Sequence, residues 1–229
     1  LYGVSYTGIS VLLSALMWSH ALMQIPAGLV ADRLGVRRAL IVSLAFLVCG
    51  NFLPAMGPFL VLAILGRIVT GIGTGLGFVA LMKLIALHAP GGRVGAFQAF
   101  FAGLFSFGNI LAYYLIPKLV VFGWQWVYLA PGLFSLLVFL LSFGLRPESR
   151  PSSLQKPASL LRIAGLRAAW ILGLFHALSW GTMINLGNWI PSLLAEFWAN
   201  SSPAQLAWGA MLVMLISGIG RMTGGFVLL

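Results

Sequence analysis

The stretch "GLVADRLGVRR", Gly28 to Arg38, places one acid, three arginines and two glycines within eleven residues of a chain that is otherwise mostly apolar. Long apolar runs lie on both sides of it. Helices that span a membrane carry little charge, so the connections between them collect the charged residues. The stretch therefore predicts a tight turn between two membrane-spanning helices.

The composition of the whole chain supports this interpretation. Hydrophobic residues make up 61% and charged residues 7% of its 229 residues, too little polar surface for a soluble domain of this size. The apolar runs are continuous and lack the alternation of barrel strands, which favours helices. We predict an all-α membrane protein with seven transmembrane helices, at residues 9–31, 39–56, 59–87, 94–116, 126–145, 168–194 and 206–229.

The net charge of +10 is distributed by side of the membrane. The connections on one side contain only Lys118, whereas the alternate connections contain nine cations. Short loops rich in Lys and Arg resist translocation, so these nine predict the cytoplasmic face of a multi-pass protein of the inner cell membrane. This distribution argues against nucleic acid as a partner. The nine are Arg33, Arg37, Arg38, Arg93, Arg146, Arg150, Lys156, Arg162 and Arg167.

The ends of the chain and one polar segment predict its organisation. The chain does not open with Met and its last apolar run reaches the final residue, so we expect an internal fragment. Residues 146–167 have the Pro and Ser content of a linker, which predicts transmembrane regions at 1–145 and 168–229. The "ASLLRIAGLR" part of this linker is compatible with an amphipathic surface helix. Cys49 is predicted to be a small core residue, and no metal or cofactor is expected.

Three residues of the opening stretch have individual predictions. Gly35 permits a tight reversal that a residue with a Cβ would resist, and Gly28 allows close approach of a neighbouring helix. Asp32 lies near a helix C-terminus, where the macrodipole disfavours a carboxylate. It is therefore expected to face a nearby arginine or the N-terminus of another helix.

The pattern of a Gly, three residues and then Asp-Arg-x-Gly-x-Arg-Arg closely resembles the loop between helices 2 and 3 of the major facilitator superfamily. "LGRIVTGIGTGLG" is similar to helix 4 of that family, with Arg67 followed by repeated glycines, and "GWQWVYL" is similar to the start of helix 6. The resemblance implies that the chain carries helices 2 to 8 of a twelve-helix transporter that works by alternating access. It also implies a cytoplasmic latch that favours the outward-open state, formed by Gly28, Asp32, Arg33, Gly35, Arg37 and Arg38.

Two departures from common patterns of the superfamily narrow the function. The fifth family helix, "AGLFSFGNILAYYLIP", lacks the Gly-Pro-x-x-Gly-Gly pattern typical of drug and proton antiporters, which disfavours drug efflux. The acids Asp32, Glu148 and Glu196 all fall in predicted connections, so the charge inside the membrane is basic.

Helical spacing groups the intramembrane polar residues into stripes. His20 and Gln24 share one face, Arg67 shares another with Thr70 and Thr74, and Ser217 shares a third with Arg221. Further stripes are Gln98, Phe105, Asn109 and Tyr113, and Thr182, Asn185 and Asn188 or Trp189. The substrate-binding candidates are Arg67, Arg221, Gln24, Asn109 and Asn185. The alternative for the uncharged ones is hydrogen bonding across helix interfaces, and for Gly71, Gly73, Gly75 and Gly77 close helix packing is expected. His176 is treated as structural, and Lys83 is expected to extend to the interface.

An internal repeat links two of these candidates. Aligning "QIPAGLVAD" with "RMTGGFVLL" places Gln24 opposite Arg221, as the two pseudo-symmetric halves of the family imply. The chain distantly resembles anion porters for nitrate and nitrite, which have arginine at both positions.

The prediction is a transporter of a small inorganic or organic anion, with a coupling ion and the lipid bilayer as partners, acting as a monomer and not as an enzyme. An exporter of an uncharged or lipophilic solute and a non-transporting structural protein are the alternatives. A retinal-type receptor would need a lysine on its last helix, and Lys83 is on the third.

Overall fold

The computed structural model of the chain describes residues 6–144, 165–198 and 200–227, and the regular structure in those ranges is helical. Six of the helices are long and apolar enough to cross a membrane, and α5 is a shorter apolar helix. The predicted all-α class is confirmed, and the chain is a multi-pass membrane protein. The helices are α1 (Tyr6–Leu34), α2 (Val36–Ala55), α3 (Leu60–His88), α4 (Val94–Leu119), α5 (Trp126–Ser142), α6 (Arg167–Phe197) and α7 (Pro203–Val227).

The chain divides into two compact units. Unit 1 comprises Leu1–His88 and Leu119–Arg150, and unit 2 comprises Ala89–Lys118 and Pro151–Leu229. Unit 1 therefore contains α1, α2, α3 and α5, and unit 2 contains nearly all of α4 together with α6 and α7. The sequence-based division around a linker at 146–167 stays a prediction, because all of that segment except its last residues, with most of its proposed surface helix, lies outside the described residues.

Alternate glycines on α3 let this helix pack against α1 and α2 at once. Gly71 and Gly75 face α1, where a Cβ at Gly75 would lie 2.8 Å from the Met23 Cβ. Gly73 and Gly77 face α2, where a Cβ at Gly73 would lie 3.0 Å from the Phe46 Cβ. Each pair is four residues apart and so lies on one helix face. The predicted packing role of these glycines is confirmed.

The helices α1, α2 and α3 form a buried cluster near the turn at Gly35. The buried side chains there are mostly small, which allows close backbone approach. Cys49, predicted to be a core residue, is exposed on α2 instead. Lipid-facing and core positions are both apolar in a membrane protein, so an apolar neighbourhood does not predict burial. The buried cluster is Ala27, Ala31, Val36, Ala39, Leu76 and Ala80.

The hinge between α1 and α2 consists of Gly35 alone. Its φ of 84° and ψ of 155° belong to a region that is essentially restricted to glycine, so the prediction for Gly35 is confirmed. The close approach predicted at Gly28 stays a prediction, because a Cβ there would meet nothing within 4 Å among the described residues. The close contacts that α1 makes with described residues fall on another face of the helix.

Unit 2 is held together by close contacts of α7 with both α4 and α6. A Cβ at Gly218 of α7 would lie 2.9 Å from the Ser106 Cβ of α4. A Cβ at Gly209, also on α7, would lie 2.6 Å from the Ile190 Cγ2 of α6. Small residues on α7 therefore set its spacing from both neighbours.

Candidate functional site

The five predicted substrate-binding residues are divided between the units. Gln24 and Arg67 lie in unit 1, on α1 and α3. Asn109, Asn185 and Arg221 lie in unit 2, on α4, α6 and α7. The latch residues of the hinge all belong to unit 1.

A polar network centred on His20 joins α1 to α3. The His20 Nδ1 lies 3.0 Å from the Thr74 Oγ1, and the His20 Nε2 lies 2.8 Å from the Gln24 Nε2. The Thr74 hydroxyl also donates to the Gly71 carbonyl at 3.0 Å. The spacing of four between His20 and Gln24 predicted their shared face, and the structure adds Thr74 as the partner across the interface. His20 was missing from the candidate site, and its position one turn before Gln24 was the available signal.

Arg67 lies on α3, two turns before Thr74, and its residue is only partly exposed. Thr70, from the same predicted stripe, packs against α2, where a Cβ at Gly50 would lie 2.6 Å from the Thr70 backbone nitrogen. Within the described ranges, Arg67 has neither an ion pair nor a hydrogen bond from its side chain. A guanidinium in this setting is available to bind an oxyanion.

The register between α1 and α3 separates Arg67 from Gln24. His20 pairs with Thr74 at an offset of 54 residues, and Asp32 pairs with Lys83 at an offset of 51, so the two helices run side by side in parallel. Arg67 is therefore level with the first half of α1, and Gln24 lies about 16 Å further along the helix axis at 1.5 Å per residue. The structure therefore places Arg67 and Gln24 too far apart to contact one small ligand at the same time.

Arg221 in unit 2 is connected to a polar chain on two helices. Its Nε donates to the Ser217 Oγ at 3.4 Å, and the Ser217 hydroxyl lies 2.8 Å from the Met183 Sδ of α6. This contact confirms the shared face predicted for Ser217 and Arg221. The two terminal guanidinium nitrogens of Arg221 have no hydrogen-bond partner among the described residues, which leaves the bidentate edge of the guanidinium available.

The two asparagine candidates bond to their own helices. Asn109 Nδ2 donates to the Phe105 carbonyl and Asn185 Nδ2 donates to the Gly181 carbonyl, each at 2.9 Å. This use of one amide hydrogen agrees with a structural role, although the second hydrogen and the amide oxygen are still available. Asn188, the alternative member of the α6 stripe, accepts a hydrogen bond from the Tyr113 hydroxyl at 3.3 Å and so links α6 to α4.

The charged residues of the hinge region make two contacts between helices of unit 1. Lys83 of α3 forms an ion pair with Asp32 of α1. The Arg37 Nη2 donates to the Phe143 carbonyl at the end of α5 at 2.9 Å, where a cation is favoured by the helix macrodipole. Arg33 and Arg38 are exposed, and neither forms an ion pair with a described residue.

The prediction that Asp32 faces an arginine or a helix N-terminus is therefore wrong. Its partner is Lys83, which was expected to extend to the membrane interface rather than to bind substrate. The side-by-side register of α1 and α3 brings Lys83 level with Asp32, and the long lysine side chain reaches it.

Metal-ligating side chains are scattered in the part of the chain that the structure describes. No group of three or more His, Cys, Asp or Glu residues there is arranged to hold a metal ion.

Comparison with known proteins identifies a family and several similar proteins. The family model described as Major Facilitator Superfamily matches residues 1–228. The "Multidrug resistance protein B homolog" of Mycobacterium tuberculosis is 29% identical over 187 residues, covering 76% of this chain and 34% of that protein. The "Probable anion transporter 6, chloroplastic" of Arabidopsis thaliana is 28% identical over 134 residues, covering 58% of this chain and 26% of that protein.

A third relative is the "Uncharacterized transporter YybO" of Bacillus subtilis, which is 28% identical over 153 residues, covering 64% of this chain and 34% of that protein. The chain spans about a third or less of the length of these curated relatives. The names of these relatives refer to multidrug resistance, to anion transport and, for the third, to transport without a named solute.

Proposed function

The chain belongs to the major facilitator superfamily, and on that premise we propose that the protein containing it is a secondary transporter of a small inorganic or organic anion. Members of this family are membrane transporters rather than enzymes. The proposed protein works by alternating access as a monomer in the inner cell membrane, without a bound cofactor and without a nucleic-acid partner. The lipid bilayer surrounds it, and a coupling ion drives it.

The observation that carries the anion proposal is the imbalance of charge around two arginines. The sequence has three acidic residues. Asp32 pairs with Lys83, Glu196 lies in the last turn of α6, and Glu148 falls outside the described residues. Within the described ranges, neither Arg67 nor Arg221 is paired with a carboxylate. An ionised group inside a membrane is costly without compensation, and an anionic substrate supplies the missing negative charge.

The candidates are proposed to contact the anion in succession. Arg67 and Gln24 are about 16 Å apart along α1 and α3, which exceeds the size of a small anion. Arg67 would attract the anion on the predicted outer side, and Gln24 would hold it nearer the cytoplasm. Arg221 is proposed to contact it through the terminal nitrogens of its guanidinium during the same cycle.

The hinge residues are proposed to control conformation rather than to bind substrate. The Asp32–Lys83 ion pair and the Arg37–Phe143 hydrogen bond join helix ends on the predicted cytoplasmic side. In this proposal, both contacts stabilise one conformational state of the transport cycle relative to the other. Their separation from Arg67 supports a role in the conformational equilibrium.

A second candidate is export of an uncharged or lipophilic solute. The relative named for multidrug resistance aligns with 76% of this chain, whereas the one named for anion transport aligns with 58%. Under this alternative, Arg67 and Arg221 would serve conformational switching alone.

An uptake screen in proteoliposomes separates the two candidates. The panel is nitrate, phosphate, lactate and succinate, with mannitol as the neutral solute and tetraphenylphosphonium as the lipophilic cation. We expect saturable uptake of at least one anion, which Arg67→Gln reduces by about tenfold or more because a charge-assisted contact is lost. Preferential transport of tetraphenylphosphonium or mannitol by the wild-type protein would reject the anion proposal.

Arg93→Gln is the matched control for Arg67→Gln. Arg93 is exposed in the connection between α3 and α4, and it carries the same charge without an intramembrane position. Uptake by the Arg93 variant should equal that of the wild type. Equal losses in both variants would assign the effect to net charge.

A further inference from the structure

The hydrogen bonds of His20 to Thr74 and Gln24 fit one tautomer of its imidazole. The Thr74 hydroxyl has one hydrogen, which it donates to the Gly71 carbonyl, so its oxygen accepts from the His20 Nδ1–H. The Gln24 amide nitrogen can only donate, so the His20 Nε2 accepts from it. With the amide in this orientation, His20 is a neutral imidazole that carries its proton on Nδ1.

The protonation state of His20 decides which group of the Gln24 side-chain amide faces away from His20. While the amide nitrogen is bound to His20, the Gln24 Oε1 has no hydrogen-bond partner among the described residues and presents an acceptor. A proton added to the His20 Nε2 would place two donors against each other. Rotation of the amide by half a turn removes this conflict, because Oε1 then accepts from Nε2–H and the NH₂ group turns outward.

We propose that His20 and Gln24 form a proton-coupled anion site, in which protonation of His20 turns the Gln24 amide so that its N–H groups bind the transported anion. This inference rests on the proposed anion transport and names its coupling ion. The proton comes from water on one side of the membrane, adds to Nε2 without breaking a covalent bond, and leaves from Nε2 to water on the other side with the anion. The protonated imidazole adds one positive charge to the site.

Neighbouring charged groups do not replace His20 in this role. On α3, Arg67 lies two turns before Thr74, and Lys83 lies near the other end of the helix and is paired with Asp32. The ionisable groups of α2, which also packs against α1, are Arg37 and Arg38 at its start and the exposed Cys49. His88 lies at the last residue of α3, where its Nδ1 is 2.9 Å from the carbonyl oxygen of Leu84. His20 is therefore the ionisable group that contacts Gln24.

Thermodynamic linkage specifies the sign of the effect. The anion binds better to the protonated state, so lower pH strengthens anion binding, and bound anion strengthens proton binding by the same factor. We expect apparent affinity to rise about tenfold between about pH 8 and about pH 5.5, within the range typical of coupled sites. Nitrate or lactate bound by arginines alone would show little change over this interval, because these two anions keep a single negative charge across it.

The test measures proton and anion movement together in the reconstituted full-length protein. Proteoliposomes loaded with the pH-sensitive dye pyranine receive sodium salts of nitrate, phosphate, lactate or succinate in separate assays. For the anion that is taken up, we expect the interior to acidify with uptake in the wild-type protein. His20→Asn keeps a donor toward Thr74 but cannot titrate, so it should lose the acidification and the pH dependence of affinity while downhill anion uptake persists.

Two further variants sharpen the test. His176→Asn is the matched control, because His176 is another membrane-helix histidine, stacked on Trp180 in unit 2, and its variant should keep full coupling. Gln24→Met removes the amide at similar volume, so affinity should no longer respond to pH. Anion uptake without acidification in the wild type, or unchanged coupling in His20→Asn, overturns this inference alone. Absence of uptake for all four anions rejects the proposed function and the inference with it.

Discussion

Lys83 of α3 forms an ion pair with Asp32 of α1 three residues before the hinge glycine Gly35. Both side chains are partly exposed, 35% for Lys83 and 48% for Asp32, so the pair contributes no more than about 1 kcal/mol to stability. A contribution of that size is small for folding but is sufficient to shift a balanced two-state equilibrium about fivefold. The pair is therefore better suited to biasing a conformational change than to holding the fold.

Replacing Asp32 by Asn should slow transport about fivefold and leave substrate affinity in the outward-facing state nearly unchanged, because the ion pair lies away from the proposed anion contacts. The measurement is the maximal uptake rate alongside equilibrium binding of the same anion. Lys83→Gln should reproduce the effect, and the exchanged pair Asp32→Lys with Lys83→Asp should restore part of the rate. A large loss of affinity in Asp32→Asn would instead place the carboxylate in the binding site.

Arg221→Lys should insert into the membrane normally but bind the anion about tenfold more weakly, because lysine offers a point charge in place of a bidentate edge. Equilibrium binding in detergent measures this, with the amount of folded protein as the reference. Ser217→Ala is the matched comparison, since it removes only the 3.4 Å contact to the Arg221 Nε and should have the smaller effect. Unchanged affinity and rate in Arg221→Lys would assign Arg221 to packing of α7.

Gly35→Ala should destabilise the protein by about 1–3 kcal/mol, because its backbone conformation is one that residues with a Cβ avoid. Gly28→Ala is the internal control, since the space around that position is open and its backbone is helical. It should be neutral or slightly stabilising. Thermal unfolding followed by size-exclusion chromatography of both variants checks this, and equal stability would show that the hinge tolerates another backbone conformation.

Gly75→Ala should lower stability by about 1–3 kcal/mol, because the new Cβ would lie 2.8 Å from the Met23 Cβ and force α1 away from α3. Gly108→Ala on α4 is the comparison, as a Cβ there meets nothing within 4 Å. The same thermal assay applies. If the two variants unfold at the same temperature, the close approach of α1 and α3 does not contribute to stability.

Several features of this protein follow from the sequence alone. Apolar runs of sufficient length require helices, because a lipid environment leaves backbone groups no other partners. The single glycine between two such runs predicts the hinge at Gly35, since only glycine adopts its backbone conformation without strain. The four-residue spacing of His20 and Gln24, and of Gly71 and Gly75, assigns each pair to one helix face.

The partners across helix interfaces were decided by the tertiary structure. Helical periodicity specifies which residues share a face, but the residue opposite them depends on the rotation and axial register of the neighbouring helix. That register joins Asp32 to Lys83 rather than to an arginine, adds Thr74 to the His20 network, and separates Gln24 from Arg67. It results from the packing of small residues along whole helices, with Gly71 and Gly75 against α1, and no local stretch of sequence contains that information.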